Sequence, residues 1–339
     1  MRSALLVFMG RALRLLMLLL ALVLFSFWLV SRSPIDPVQA YVGAEMNLVS
    51  PEQRQQIEEY WGLNDPAPVR LARWFSAILR GDFGTSMVYR RPVLSVIRER
   101  FLNSLLLMIT AWALSGIIGF ASGLLSGARA GGMVDRAVRW YCYAIASTPA
   151  FWLAMLMLIV FSVWLRLTPV GLAVPIGVES SKVSILDRLH HLVLPAVTLS
   201  MLGVANIALF TRQKVVESLS SEYVLYARAK GESERSILLR HVPRNVALPA
   251  VSLLFASFSE LFGGSVLVET VFTYPGLGQA TVQSALRGDV PLLLGTVIFG
   301  ALFVFAGNLL ADAAYLLIDP RIRSLRPGSS KELSYARAE

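Results

Sequence analysis

Six stretches of this chain are apolar enough, over roughly 20 residues each, to cross a hydrocarbon layer. Lipid gives a bare backbone no hydrogen-bonding partner. A crossing segment must therefore satisfy its own N–H and C=O groups, and a run of this length does so as an α-helix. That constraint sets the expected fold class: an all-α integral membrane protein with six transmembrane helices. The spans are predicted at Ala12–Val30, Asn103–Ser126, Tyr141–Leu165, Leu194–Phe210, Ala247–Phe272 and Leu292–Ile318. Composition agrees, since only 16% of the 339 residues are charged, against about a quarter in a soluble domain.

The first span has two readings. Arg2, Arg11 and Arg14 precede it, and Val38–Ala40 imitates a signal-peptidase site. Yet Leu15–Val30 is sixteen uninterrupted apolar or small residues, long for a signal core, so a retained helix is expected. The short loops set the orientation. Those after spans two and four, Gly127–Arg139 and Thr211–Val246, hold ten Lys and Arg; the opposing loops, Arg166–Val193 and Thr273–Pro291, hold four. Positive charge stays inside, which places the first pair of loops and both termini in the cytoplasm of a multi-pass membrane protein.

The expected organisation is an N-terminal span (1–30), an extracytoplasmic segment (31–102), a five-helix membrane domain (103–318) and a cytoplasmic tail (319–339). The sequence contains no internal repeat, low-complexity tract or flexible interdomain linker. In the extracytoplasmic segment, Ser33–Pro37 reads as an extended exit from the membrane. Ser50, Pro51 and Gln53 read as the start of a capped helix that ends at Gly62.

The chain carries no chemistry of its own that the residues reveal. It has no GxxxxGK[ST] loop for phosphate, no GxSxG elbow, and one cysteine, Cys142. His190, His191 and His241 lie in no metal-ligand pattern, so neither metal nor cofactor is expected on this chain. The net charge of +9 has no nucleic-acid motif to accompany it and belongs to the inside loops.

One inside loop is unusual. "SEYVLYARAKGESERSILLRHVPRNVALP", Ser221–Pro249, reads as a helix begun by Ser221 and Glu222, a bend at Gly231, and a second helix capped by Ser233. Its small residues Ala227, Ala229 and Gly231 permit close approach of another protein. An amphipathic helix resting on anionic lipid is the other reading.

This loop resembles the EAA loop of ABC-transporter permeases. Tyr226–Gly231, "YARAKG", is similar to the form found in the dipeptide, oligopeptide and nickel branch of the binding-protein-dependent importers. "SEY" and "GES" are mild departures. Five further stretches are similar to that family in the right order: Tyr60–Ser86, Arg91–Leu107, Leu192–Ser200, Gly263–Ala280 and Asp319–Arg323. The resemblance implies a type I importer permease fold in which loop 212–246 carries a coupling helix that docks on a separate ATPase. Glu222, Tyr223, Ala227, Arg228, Ala229, Lys230, Gly231, Asn245 and Pro249 are then the coupling residues. It also implies a second homologous permease subunit, two ABC ATPase subunits that bind ATP and Mg, and an extracytoplasmic solute-binding protein. Peptides are the expected cargo, with nickel, an opine or a metal chelate as the alternative. A secondary transporter or channel without an ATPase, and a membrane scaffold, are the rival classes.

Polar residues inside spans are expected to face protein or water. Glu260 and Asn308 are candidates for the translocation pathway, whereas Glu269 and Asp312, near span ends, read as structural. Pro275, Gly276 and Gly278 form a sharp outer turn. Gly119, Gly123 and Gly127 share one helix face suited to close packing, against a helix of this chain or of a second permease.

Overall fold

The computed structural model describes residues 2–32, 38, 42, 49–61, 64–175, 177 and 183–318. Ser33–Pro37, the imitation cleavage site beyond Val38, Gly62, Asp319–Arg323 and the tail lie outside them, as does the side chain of Asp312. Among the described residues all regular structure is helical apart from one bridge, Thr85 to Pro92. The elements are α1 Arg2–Ser31, α2 Pro51–Trp61, α3 Ala67–Leu79, α4 Val93–Ala128, α5 Met133–Ala146, α6 Ala150–Met157 with the π-helix Leu158–Trp164, and α7 Ile185–Leu219. Then follow α8 Glu222–Ala229, α9 Glu234–Ser236 with the π-turn Ile237–His241, α10 Val242–Ala256, α11 Phe258–Val271, α12 Leu277–Leu286 and α13 Val290–Ile318.

Three described helices are long and apolar enough to cross a membrane: Val93–Ala128, Ile185–Leu219 and Val290–Ala311. Two broken pairs, Met133–Ala146 with Ala150–Trp164 and Glu234–Ala256 with Phe258–Val271, bring the number to five if each is one span. Leu13–Leu29 is a shorter apolar helix. The predicted last span agrees with α13 to within two residues at its start.

Two other spans differ from the sequence reading in length. α4 begins ten residues before Asn103, inside the segment assigned to the extracytoplasmic side. Its first turns keep a helical stripe, with Val93, Val96 and Ile97 buried, so the helix continues beyond the apolar run. α7 overruns its predicted span at both ends for the same reason, carrying Leu192 inward before the run and Val215 inward after it.

The third and fifth predicted spans are each interrupted. Pro149 has no N–H to continue the ladder and forces Thr148 away from helical geometry. The hydroxyls of Ser147 and Thr148 donate back to the carbonyls of Tyr143 and Ala144, each at 2.7 Å, and close the end of α5. In the fifth span the Leu254 carbonyl is diverted. It accepts from Trp112 Nε1 at 2.8 Å and from Ser257 Oγ at 3.0 Å, and the helix breaks at Ser257.

The chain forms two compact units. The first comprises Met1–Met108, Ala154–Pro195 and Gly264–Phe305. Here Val23 and Phe27 of α1 are buried with Leu294, and Leu71, Val290 and Ile298 pack around them. α2 starts with the predicted capping box: Gln53 N donates to Ser50 Oγ at 3.2 Å and Ser50 N to Gln53 Oε1 at 3.0 Å. Two buried carboxylates tie distant segments to helix starts. Asp289 accepts from Ser86 Oγ at 2.5 Å, Val88 N at 3.0 Å and Leu292 N at 3.2 Å, the last opening α13. Glu269 accepts from Ser104 Oγ at 2.6 Å and from Gln279 N, in the first turn of α12, at 3.0 Å.

The second unit comprises Ile109–Leu153, Ala196–Gly263 and Ala306–Glu339. Its central contact is the glycine face of α4, and the partner helix is α7 of this same chain. A Cβ at Gly123 would lie 2.5 Å from the Ala208 carbonyl oxygen and 2.6 Å from Thr211 Cβ; one at Gly127 would lie 2.6 Å from Val215 Cβ. Close approach of backbones is what small residues supply where lipid removes the hydrophobic drive between helices.

Two stability outcomes follow, each read as the thermal midpoint of purified protein in detergent. Gly123→Val drives a side chain into backbone and is expected to cost about 1–3 kcal/mol or more. Glu269→Ala strands the Ser104 hydroxyl and the Gln279 amide and is expected to cost about 1–3 kcal/mol, with Glu269→Gln milder. A midpoint unchanged in Gly123→Val overturns the close contact, and one unchanged in Glu269→Ala overturns the clamp.

Candidate functional site

The basic loop begins where α7 ends. Ser221 holds the extended N-cap position of α8 as predicted, but its hydroxyl donates to the Ser218 carbonyl at 2.5 Å rather than accepting from the helix. Tyr223 hydrogen-bonds Ser218 as well. Within α8, Val224 and Ala227 share one face and are buried with Val215, Ile237, Val242 and Val246. Ala227 is small enough to let the helix lie directly on this cluster. The other face carries Glu222, Tyr223, Leu225, Tyr226, Arg228 and Ala229, all exposed. Leu225 is 56% and Tyr226 63% exposed, large apolar area for a loop otherwise rich in charge. Lys230 Nζ sits 4.6 Å from the Tyr226 ring centroid, a cation–π contact that orders both side chains.

Gly231 ends α8 as the sequence predicts, with φ +80°. Gly231 N donates to the Arg228 carbonyl at 2.9 Å and Glu232 N to the Ala227 carbonyl at 3.1 Å. This pair of bonds is the Schellman closure, which needs a left-handed residue and so favours glycine. A Cβ at Gly231 would meet nothing within 4 Å, so the position opens outward.

An ion pair and a carboxylate–histidine hydrogen bond hold the bend. Arg228 grips Glu234 with two bonds, 2.7 and 3.2 Å long. Glu232 accepts from His241 Nε2 and Ser236 Oγ at 3.0 and 3.1 Å, and the His241 contact, then Ser236, holds its carboxyl below the ordinary glutamate value. Arg228 and Glu234 are exposed and Glu232 and His241 half-buried, so solvent screens both contacts and they shape the bend more than they stabilise it. Ser233 caps the next turn by accepting from Ser236 N at 3.3 Å, as expected. The second helix differs from the sequence reading: it is one turn, relaxes into the π-turn and runs on into α10, because Pro243 falls at the helix start where no N–H is needed. Asn245 and Pro249 are four apart inside α10. The proline removes the donor that the Asn245 carbonyl would otherwise receive, while Asn245 Nδ2 donates to the His241 carbonyl at 3.0 Å.

The pathway candidates are less concentrated. Glu260 is exposed in the first turn of α11. Asn308 is exposed and accepts from Ser259 Oγ at 2.5 Å. Neither lines the apolar groove of about 660 Å³ formed in the second unit by Trp112, Gly116, Phe120, Ile207, Val251 and Leu254, among others. Glu269 is the structural residue expected of it. The turn it supports is tightly specified: a Cβ at Gly276 would fall on the Glu269 carboxylate, and one at Gly278 would lie 2.7 Å from Val266 Cα. Asn103 Nδ2 reaches the Pro275 carbonyl at 2.9 Å, and Leu277 N donates to Ser104 Oγ at 2.7 Å.

Sequence reasoning passed over Asp135, Asp289, Asn103 and Ser104. Only the two aspartates carried a signal, each standing one or two residues before or after a helix start that Gly131–Gly132 or Gly288 announces. Among the described residues no group of three or more His, Cys, Asp or Glu is placed to hold a metal ion.

Comparison with known proteins gives the family. The model of the family described as "Binding-protein-dependent transport system inner membrane component" matches residues 115–324. The chain is 35% identical over 308 residues to the oligopeptide transport system permease protein AppB of Bacillus subtilis, covering 90% of this chain and 95% of that one. It is 36% identical over 301 residues to the probable peptide ABC transporter permease protein y4tP of Sinorhizobium fredii, covering 88% and 93%. It is 36% identical over 308 residues to the glutathione transport system permease protein GsiC of Salmonella typhimurium, covering 91% and 94%. A model matching well over half of the chain, together with relatives aligned along nearly all of it, means that this protein belongs to the inner-membrane permeases of binding-protein-dependent ABC transport systems.

Proposed function

We propose that the chain is one permease subunit of an ATP-driven peptide importer. The observation that carries the cargo is the agreement among relatives: those aligned along about nine tenths of the chain are named as oligopeptide, peptide and glutathione permeases. Nickel, an opine or a metal chelate remains the alternative from family breadth. A second homologous permease completes the pathway, a solute-binding protein delivers the peptide, and two ABC ATPase subunits hold ATP and Mg. The chain has six spans with both termini in the cytoplasm. α1 is the first span, and its packing through Val23 and Phe27 supports its retention.

α8 is the coupling helix. Its exposed face, with Leu225 and Tyr226 prominent, suits a groove on the ATPase, while Val224 and Ala227 seat it on the permease. ATP binds the closed ATPase pair more tightly than the open pair. That difference in affinity, delivered through α8, shifts the spans between inward- and outward-facing states. Glu260 and Asn308 are assigned to the pathway side of α11 and α13.

The cargo test is uptake, in a deletion strain with complementation, of a labelled dipeptide mixture and of labelled nickel side by side. Loss of peptide uptake alone is expected, and loss of nickel uptake alone moves the protein to metal import. Leu225→Asp buries a charge in the proposed interface and is expected to weaken retention of the ATPase on purification by roughly tenfold or more, worth about 1.4 kcal/mol. Full retention overturns the docking face. Gly231→Val adds a β-branched side chain in open space at positive φ, a backbone cost of roughly 1–2 kcal/mol. Membrane levels near normal with uptake down by at least roughly tenfold are expected, within the usual range of site-to-site coupling. Wild-type uptake at normal levels removes the coupling role from this loop.

A further inference from the structure

Asp135 lies in the first turn of α5 and its side chain is fully buried. Arg212, near the end of α7, grips it with both arms of the guanidinium, Nε to Oδ1 at 2.5 Å and Nη2 to Oδ2 at 2.9 Å. Ser126 Oγ, in the last turn of α4, donates at 2.6 Å, and Gly131 N, in the turn between α4 and α5, donates at 2.8 Å. Arg139 Nε stands 3.5 Å away. A carboxylate has about four acceptor positions, and these four bonds use them. The ends of three helices therefore meet on one side chain.

That junction adjoins the seat of α8. Val215, which is buried against Val224 and Ala227, is one turn beyond Arg212 on the same helix. Gly127, next to Ser126, meets that turn directly: a Cβ there would lie 2.6 Å from Val215 Cβ and 2.9 Å from the Arg212 carbonyl oxygen. Phe120 and Leu124 of α4 pack on the same cluster. A push on Val224 and Ala227 thus arrives at Val215, within a turn of a bidentate ion pair whose other members sit on α4 and α5. The planar fork resists shear between the groups it joins, which an apolar contact of the same size does not.

We infer that Asp135 and Arg212 are positioning residues for energy coupling: the pair of a buried Asp135 and a partly buried Arg212 holds the ends of α4, α5 and α7 as one body, so that displacement of α8 moves those helices instead of being absorbed between them. The inference rests on the coupling reading of α8. It gives the pair a geometric role, which a desolvated carboxylate needs no extra stability to fulfil, because the cost of burying Asp135 offsets much of what its bonds return.

The test uses the whole transporter, with both permease subunits, the ATPases and the binding protein, reconstituted in vesicles. Labelled dipeptide moved and ATP hydrolysed are measured in the same preparation for Asp135→Asn, Arg212→Lys, Ser126→Ala and Gly231→Val. Asp135→Asn and Arg212→Lys are expected to lower dipeptide moved per ATP by about tenfold, while Ser126→Ala, which removes one neutral donor of four, lowers it less than about twofold. Arg212→Lys keeps the charge and loses only the fork, so it remains informative if Asp135→Asn fails to assemble. An unchanged ratio in assembled Arg212→Lys complexes, or transport and hydrolysis falling in proportion, reduces the pair to a structural role and overturns the inference. If Gly231→Val uncouples and Arg212→Lys does not, this inference alone fails. If Gly231→Val also leaves the ratio unchanged, the coupling reading fails with it.

Discussion

The approach of α4 to α7 at Gly119, Gly123 and Gly127 sets the geometry on which the second unit depends. Lipid chains are as apolar as leucine, so helices in a bilayer gain little from hiding apolar faces from one another. They gain from contact area, and contact area grows when backbones come close. With glycine at 123, the Ala208 carbonyl is within van der Waals reach of the α4 backbone. Gly127 then brings Val215 into place, and Val215 is the floor on which α8 lies. A larger residue anywhere along this face separates the two helices and removes the cluster that seats the proposed coupling helix.

Polar ties complete what close packing begins. Each of three buried carboxylates joins segments that are distant in sequence or carried on different helices. Within the first unit, Asp289 joins Ser86 and Val88 to the start of α13, and Glu269 joins Ser104 to the start of α12. Within the second, Asp135 joins α4, α5 and α7. Two of the three also accept from first-turn amides of a helix, where the N–H groups are unpaired and the dipole favours an anion. The sites are cheap places to bury a negative charge, because the donors already exist. They give direction to contacts that dispersion alone leaves free to slide.

Much of this was legible in the residues. The apolar runs required helices, and five of the six predicted spans coincide with helices or broken helix pairs that meet span criteria. The Schellman closure at Gly231 and the caps at Ser50 and Ser233 came from local rules that act over three or four residues, and they hold. The two broken spans were missed because hydropathy does not register a proline–hydroxyl cluster such as Ser147–Pro149, nor a distant indole such as Trp112 that takes a carbonyl out of the ladder. The extensions of α4 and α7 were missed because their ends are amphipathic rather than apolar.

The sequence by itself determined the class of the molecule, the helices and the basic loop with its glycine, since these follow from backbone hydrogen bonding in lipid and from turn chemistry close in the chain. It also marked the glycine face of α4 and the structural character of Glu269. Only the tertiary structure decided that the glycine face meets α7 of the same chain. It likewise showed that Glu269 answers Ser104 and the amide of Gln279, and that Asp135 receives Arg212 from 77 residues away. The reason is physical: a buried charge is tolerable only beside its donors, and which donors arrive is a property of how the helices pack, not of the residues on either side of the charge.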